Sequence, residues 1–225
     1  MLKNALKLLI LLVVLFALAL WSPWYKWQIN IYNLLGIENN EKYSSLKITS
    51  LSGEIEIYID DEYQGSVTDN EDYVDIASIK SGEHHIALKR KSQTEYFVYE
   101  KTIIFEQGAE VVIAFDLGPN ETFSEGHTFY TKRNYINIGK PRLFVYSAPD
   151  MTKVFIDDIL VGETPLLNVD LDLSQQRKVR FQHDGYEDLE FTILPDSIES
   201  RNKLLDFDLI IEAKLFLKPV KVVNL

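Results

Sequence analysis

An internal repeat is the feature that most constrains how this chain can fold. Residues 46–65 (LKITSLSGEIEIYIDDEYQG) align without a gap with residues 143–162 (LFVYSAPDMTKVFIDDILVG). The identical pairs are Leu46 and Leu143, Ser50 and Ser147, Ile59 and Ile156, Asp60 and Asp157, Asp61 and Asp158, and Gly65 and Gly162. Because self-similarity at a fixed spacing indicates a repeated structural unit, the sequence predicts two tandem modules of similar fold.

Alternating apolar residues indicate that each module is built from β-strands. Ile55, Ile57 and Ile59 are separated by single residues, and the side chains of a strand point alternately to opposite faces. The same alternation occurs over residues 111–117 and 207–217. No convincing helix follows the N-terminal segment, so the predicted fold class is all-β, with two small tandem β-sandwiches.

The repeated Asp-Asp pair falls where the chain must reverse direction. Asp tolerates a left-handed backbone and can bond to its own main chain, so such a pair can close a two-residue hairpin. A glycine follows each pair at the same distance, which indicates a bulge or a positive φ. We therefore predict structural roles, not paired catalytic carboxylates, for Asp60, Asp61, Gly65, Asp157, Asp158 and Gly162.

The apolar N-terminus predicts a membrane anchor. Residues 8–20 contain no polar side chain, Lys3 and Lys7 precede them, and three Trp and one Tyr follow within residues 21–27. A helix over about residues 5–24 would span about 30 Å, enough to cross the bilayer core. The flanking Lys residues favour a cytoplasmic N-terminus, which places the rest of the chain outside. The alternative is a secreted protein whose signal peptide is cleaved near Ala17-Leu18-Ala19.

The domain boundaries follow from these patterns. Residues 1–27 are the predicted transmembrane anchor or signal peptide, and residues 28–45 a stalk. The first module is placed at residues 46–117 and the second at residues 142–222. Residues 118–141 are rich in Gly, Asn and Pro, and they are predicted to form a linker with a short strand at residues 129–138.

Charge and composition exclude several classes of function. The net charge of −11 disfavours contact with the phosphates of nucleic acids. No Cys is present, which excludes disulfides and thiolate-bound metals. Asn168, Asp170 and Asp172 would share one strand face, but they lack the spacing of a calcium loop, so a solvated polar face is the preferred interpretation. We therefore predict no catalytic, metal or cofactor site.

The second copy resembles the PEGA domain. The resemblance is carried by VFIDDILVGETPL (residues 154–166) and RKVRFQHDGYEDLEFTI (residues 177–193), and the first copy joins it mainly through its alignment to the second. The residues that fill the family pattern are Ser147, Pro149, Val154, Ile156, Asp157, Gly162, Thr164, Pro165, Gly185 and Tyr186. The resemblance implies a small β-rich module of exported prokaryotic surface proteins, often in tandem and without known catalytic residues.

Together these features predict a non-catalytic, membrane-anchored protein that binds or spaces other components outside the cell membrane. Its expected partners are the lipid bilayer, through residues 5–24, and a cell-wall glycan or another surface protein. One alternative is an envelope glycoside hydrolase that uses a carboxylate pair. Another is a sensory ectodomain that signals through a partner.

Overall fold

The computed structural model describes residues 43–71, 73–92, 94–136 and 139–219. The predicted anchor and all but the last three residues of the predicted stalk lie outside these ranges. Within them, no helix has the length and apolar character needed to cross a membrane.

The described residues fold mainly into β-strands, consistent with the predicted all-β class. The first half contains β1 (Tyr43–Ser50), β2 (Ile55–Ile59), β3 (Glu62–Val67), β4 (Val74–Lys80), β5 (Gly82–Arg90), β6 (Tyr99–Phe105) and β7 (Glu110–Asp116). A 3₁₀ turn (Glu121–Phe123) and β8 (Glu125–Arg133) follow. The second half contains β9 (Arg142–Ala148), β10 (Lys153–Ile156), β11 (Ile159–Glu163), β12 (Leu166–Asp170), β13 (Arg177–Gln182), β14 (Leu189–Ile193), helix α1 (Ile198–Asn202), a 3₁₀ turn (Lys203–Asp206) and β15 (Phe207–Lys214).

The strand pairing repeats between the two halves. One seven-stranded sheet has the order β12-β9-β15-β8-β7-β1-β4, and two four-stranded sheets have the orders β3-β2-β5-β6 and β11-β10-β13-β14. β1 lies between antiparallel β4 and parallel β7, just as β9 lies between antiparallel β12 and parallel β15. The sequence repeat therefore corresponds to two copies of one seven-strand unit.

The segment predicted as a linker contains the strand that joins the two halves. β8 pairs antiparallel with both β7 and β15, with Phe129 opposite Val112 on one side and Ile211 on the other. The predicted short strand began later, at residue 129. Because β8 is covered on both faces, its sequence lacks the alternation of apolar and polar residues that identifies a half-buried strand.

The two four-stranded sheets lie on opposite faces of the shared sheet. Phe129 belongs to the core of the second half, and the neighbouring Tyr130 packs against the core of the first half. Thr128 bonds to Tyr99 in the first half, whereas His127 stacks on Phe191 in the second. Since neighbouring side chains of a strand point to opposite faces, β8 contributes to both cores.

The core positions follow the predicted alternation. Ile55, Ile57 and Ile59 are all buried in the first core, together with Leu46 and Ile48 of β1. Each such side chain stabilises the fold by about 1.5–3 kcal/mol through removal of apolar surface from water.

Helix α1 was not predicted. Its five residues are capped by Ser197, whose side-chain oxygen accepts from the Ser200 N–H. Arg201 is buried and donates to the carbonyl oxygens of Leu173, Ser174, Pro195 and Asp196. These bonds attach the connection between β14 and β15 to the end of the second half.

Gly126 tests whether β8 packs as described. A Cβ atom at this position would lie 2.2 Å from the Ala114 carbonyl oxygen and 2.8 Å from the Phe115 Cα. We expect Gly126→Ala to lower the free energy of unfolding by about 1–3 kcal/mol, because neither backbone atom can move freely. Gly82 has a similar φ of +145° but no atom within 4 Å of such a Cβ. Chemical denaturation of Gly126→Ala and of the control Gly82→Ala measures this. Equal losses of unfolding free energy in the two variants would contradict the packing of β8.

Candidate functional site

The four Asp residues of the repeated pair lie at the two hairpin turns. Asp60 and Asp61 have φ values of 51° and 65° between β2 and β3, and Asp157 and Asp158 have values of 49° and 63° between β10 and β11. Positive φ at both central residues is the geometry of a type I′ turn.

The first carboxylate of each pair ties its hairpin to the neighbouring strand. Asp60 accepts from the His85 N–H at 2.9 Å and contacts the His84 ring at 2.6 Å, and these bonds hold its pKa below the usual value. Asp157 accepts from the Arg177 guanidinium at 2.8 Å and from the Lys178 N–H at 3.0 Å, with the same effect on its pKa. Both carboxylates therefore stabilise the contact between a hairpin turn and the neighbouring strand.

The glycines that follow the hairpins lie at register shifts. Gly65 has a φ of 140° beside the shift in the β2–β3 pair. Gly162 has a φ of 148° beside the matching shift in the β10–β11 pair. Each is therefore part of a bulge.

The Ser, Pro and Thr residues of the PEGA-like pattern gather at one end of the second half. Ser147 donates to the Pro149 carbonyl oxygen at 2.6 Å and lies 2.6 Å from the Thr164 hydroxyl. The Thr152 N–H donates to that hydroxyl at 3.1 Å, and Pro165 follows Thr164 through a cis peptide bond. These residues bind one another and so form a packed turn.

The first half uses its equivalent serine in the same way. Ser50 donates to the carbonyl oxygens of Ser52, at 3.0 Å, and Gly53, at 2.7 Å. The repeated serine therefore holds the same turn in both halves, even though the first half lacks the prolines.

Gly185 and Tyr186 lie apart from that turn. Gly185 has a φ of 86°, and its carbonyl oxygen accepts from the Lys218 N–H at 2.9 Å. Tyr186 bridges to Leu217 and packs against the second core. The structure thus distributes the predicted motif residues over separate turns and does not bring them into one site.

Of the three candidate calcium residues, Asp172 lies beyond the end of β12 and bonds to nearby residues. Asp172 accepts from the Ser174 N–H at 2.9 Å and from its hydroxyl at 2.7 Å, and it pairs with Arg177. Asn168 has a φ of 62° in β12. Over the described ranges, no cluster of three or more His, Asp or Glu side chains could hold a metal ion.

A groove beside β6 is a surface feature that the sequence did not predict. It has a volume of about 670 Å³ and lies between the edge of β6 and one face of β8, β15 and β9. We call it the β6 groove, and its main lining residues are Thr102, Ile104, Tyr130, Phe144, Tyr146 and Ile210. A second cavity of about 440 Å³ shares Tyr146 and extends along β6 past Lys101 and Glu212.

A polar cluster lies where the two cavities meet. Lys101 of β6 forms an ion pair with Glu212 of β15, and the Tyr130 hydroxyl donates to the same carboxylate at 2.7 Å. Burial, and then the bond to Glu212, raise the pKa of Tyr130. The phenol therefore remains a neutral hydrogen-bond donor, and the cluster fixes β6 over the shared sheet.

The floor and rim of the β6 groove expose apolar surface. Tyr146 is 40% exposed and Ile104 is 50% exposed. These residues come from distant parts of the chain, on β9 and β6. No sequence motif could have indicated the groove, because only the β8 pairing brings its walls together.

Glu125 begins β8 after the first 3₁₀ turn, and its carboxyl group lies near other carboxylates. Burial raises its pKa, and the carboxylates of Asp116 and Glu187 add to this effect. Asp116 itself accepts from Arg90 at 3.1 Å and from Ser52 at 2.9 Å. The Asp-Asp pairs of the hairpins are not part of this group.

His127 is held uncharged between the two halves. Its ring stacks on Phe191 with centroids 3.5 Å apart and planes 4° apart. Burial lowers the pKa of His127 to about 4, and its Nδ1 has no hydrogen-bond partner among the described residues. A charged imidazole is therefore costly at this position.

Lowering the pH should destabilise the protein through His127. Between pH 6.5 and about 4 the unfolded chain binds a proton that the folded protein does not. The free energy of unfolding should therefore fall over this range, by at most about 3 kcal/mol from this group. His127→Phe keeps the stacking but cannot titrate, so its pH profile should be flatter. Denaturation of both proteins at pH 7.5 and pH 4.5 measures this, and parallel profiles would contradict it.

Adjacent Asp residues of one hairpin should respond in opposite directions to Gly. Asp61→Gly should raise the free energy of unfolding by about 0.5–1 kcal/mol, because Gly adopts positive φ without steric cost. Asp60→Gly should lower it by about 1–2 kcal/mol, because the bonds to His84 and His85 are lost. Thermal and urea denaturation compare the two, and the same sign for both would contradict the assigned roles.

Comparison with protein families supports the resemblance seen in the second half. Residues 140–205 match the PEGA domain, a range that begins just before β9 and ends in the second 3₁₀ turn. No match to the chain was found among curated proteins. These findings support a PEGA domain-containing protein, with the domain in the second half of the described fold.

Proposed function

We propose that this protein is a non-catalytic binding or spacing module held outside a cell membrane by its N-terminal segment. The observation that carries the binding role is the β6 groove, an open surface with exposed apolar and aromatic side chains. Large exposed apolar surfaces on otherwise polar proteins commonly mark interaction sites.

The residues of the PEGA-like pattern support the proposal that the two halves are repeated structural modules. Ser147 and Asp157 of the PEGA-like pattern bond to backbone groups of nearby turns and strands, which supports structural roles for the pattern. We infer that the first half is a second, degenerate PEGA module. A cell-wall glycan or another surface protein is the proposed partner, and the acidic net charge disfavours nucleic acid.

Membrane attachment through residues 1–27 is tested by fractionation. The full-length chain should remain with membranes after washing in alkaline carbonate, which removes peripheral proteins. Deletion of residues 1–27 should release it, because the apolar run that would span the bilayer is lost. Release of the full-length chain by carbonate would contradict an integral anchor, and N-terminal sequencing would show whether a signal peptide has been cleaved.

Envelope binding through the β6 groove is tested with a matched pair of tyrosines. Tyr146 lies in the groove and is 40% exposed, whereas Tyr63 lies on β3 and is 57% exposed. Tyr146→Ser should reduce retention of the full-length protein on envelope fractions by about tenfold, since an aromatic contact residue is often worth 1–2 kcal/mol. Tyr63→Ser should have little effect. Equal retention of both variants would argue against the groove as the binding surface.

An envelope glycoside hydrolase remains the second candidate because of Glu125. A desolvated carboxyl group beside other carboxylates is a feature of such enzymes, and the pKa of Glu125 is raised in this way. Incubation of the protein with envelope polysaccharide should release no reducing sugar under our proposal. Release that is abolished by Glu125→Gln would replace the proposal with the hydrolase. A sensory role would require a signalling partner, which the same envelope-binding experiment could recover.

A further inference from the structure

β6 is an edge strand with its outer side open to the groove. It is the last strand in the order β3-β2-β5-β6, so only β5 pairs with it. The Asp60 N–H bonds to the His85 carbonyl oxygen across β2 and β5. Since ladder bonds alternate along an antiparallel pair, this fixes which residues of β5 face β6.

Because of this alternation, the N–H and C=O groups of every second residue of β6 point into the groove. The β5–β6 register places Tyr99, Lys101 and Ile103 opposite Leu88, Ile86 and His84, the residues of β5 that face β6. The N–H and C=O groups of Glu100, Thr102 and Ile104 therefore point away from β5. No hydrogen bond joins these groups to another part of the chain that the structure describes. Such a row of free groups is a template for another strand.

The shared sheet continues underneath the position that an added strand would take. Phe144 and Tyr146 of β9 and Ile210 of β15 line the floor of the groove beside β6. A further strand would lie about 4.8 Å from β6, and packed sheets are about 10 Å apart. Every second side chain of the added strand would therefore contact these three residues.

In the second half, a longer connection of the chain lines the equivalent surface and narrows the cavity there. Thr192 of β14 corresponds to Thr102, because it lies opposite Lys178 as Thr102 lies opposite His85. Ser200, Lys203 and Leu204 of the connection between β14 and β15 line the cavity next to Thr192. The corresponding connection in the first half is only residues 106–109, so the edge of β6 stays open.

One of the segments that line the groove is basic, although the whole protein is acidic. Residues 126–149 contain two Lys and two Arg and no Asp or Glu, in a chain with a net charge of −11. Lys132 and Arg133 line the groove, with Arg133 paired to Glu106 at 3.9 Å, and Arg142 lies on the same face of β9 as Phe144. The acidic residue in the lining, Asp208, accepts from Asn134 at 2.7 Å. This end of the groove is suited to acidic side chains.

We propose that the β6 groove binds an extended polypeptide segment, which adds to β6 as a fifth strand. Alternate apolar side chains of the segment pack on Phe144, Tyr146 and Ile210, and acidic side chains at its end lie near Lys132. A polypeptide is favoured over a glycan because the free N–H and C=O groups recur at the two-residue spacing of a strand. This inference rests on the proposed binding function and names its class of partner.

The probe is a fluorescein-labelled peptide of eight alternating Val and Thr residues with two Glu at each end. Full-length protein in detergent micelles should bind it, as measured by fluorescence anisotropy. Thr102→Pro removes an outward N–H and should weaken binding by about tenfold or more. Thr192→Pro is the matched change on β14, outside the β6 groove, and should leave binding within about twofold. A peptide with Lys in place of Glu should bind more weakly.

An N-methylated form of the same peptide makes the test independent of protein folding. Methylation at alternate residues removes the N–H groups on one edge of the peptide, and pairing with β6 should then be lost for one of the two methylation patterns. Equal binding by both methylated peptides, or binding unaffected by Thr102→Pro in a folded protein, would overturn the inference. So would binding of an oligogalacturonate in place of the peptide. Groove-dependent envelope retention without peptide binding would overturn this inference and leave the proposed function in place.

Discussion

The pairing of β8 with both β7 and β15 is the constraint on which the rest of the structure depends. β8 runs antiparallel to each, so the two halves share one seven-stranded sheet. Because neighbouring side chains of β8 point to opposite faces, the two four-stranded sheets must cover opposite faces. The four-stranded sheet of each half therefore covers only that half's strands of the shared sheet. On the same face, the strands of the other half stay open.

The two open areas differ in how the chain lines them. Beside β14 the longer connection through α1 lines the surface and narrows the cavity, with Leu204 buried in the second core. Beside β6 the short connection leaves the edge and the aromatic floor open. The two equivalent positions therefore differ in the space beside the strand edge, which is about 670 Å³ at β6 and about 440 Å³ at β14. The binding role that we propose depends on this asymmetry.

Local features of the fold could be predicted from the sequence, and features that depend on distant pairing could not. The Asp-Asp turns and the buried Ile55, Ile57 and Ile59 follow from local backbone preferences and from alternation. β8 lacks alternation because Phe129 and Tyr130 enter different cores, so its segment resembled a linker. The β6 groove could not be predicted from the sequence because its walls come from strands far apart in the chain.

Native-state hydrogen exchange tests most directly whether β8 unites the two halves. If it does, the ladder amides of β1, β7, β8, β15 and β9 should share one free energy of exchange, equal to that of global unfolding. Urea should lower this free energy equally for all of them. Rapid exchange of the β8 amides, or separate free energies for the two halves, would show that the halves are independent domains joined by a linker.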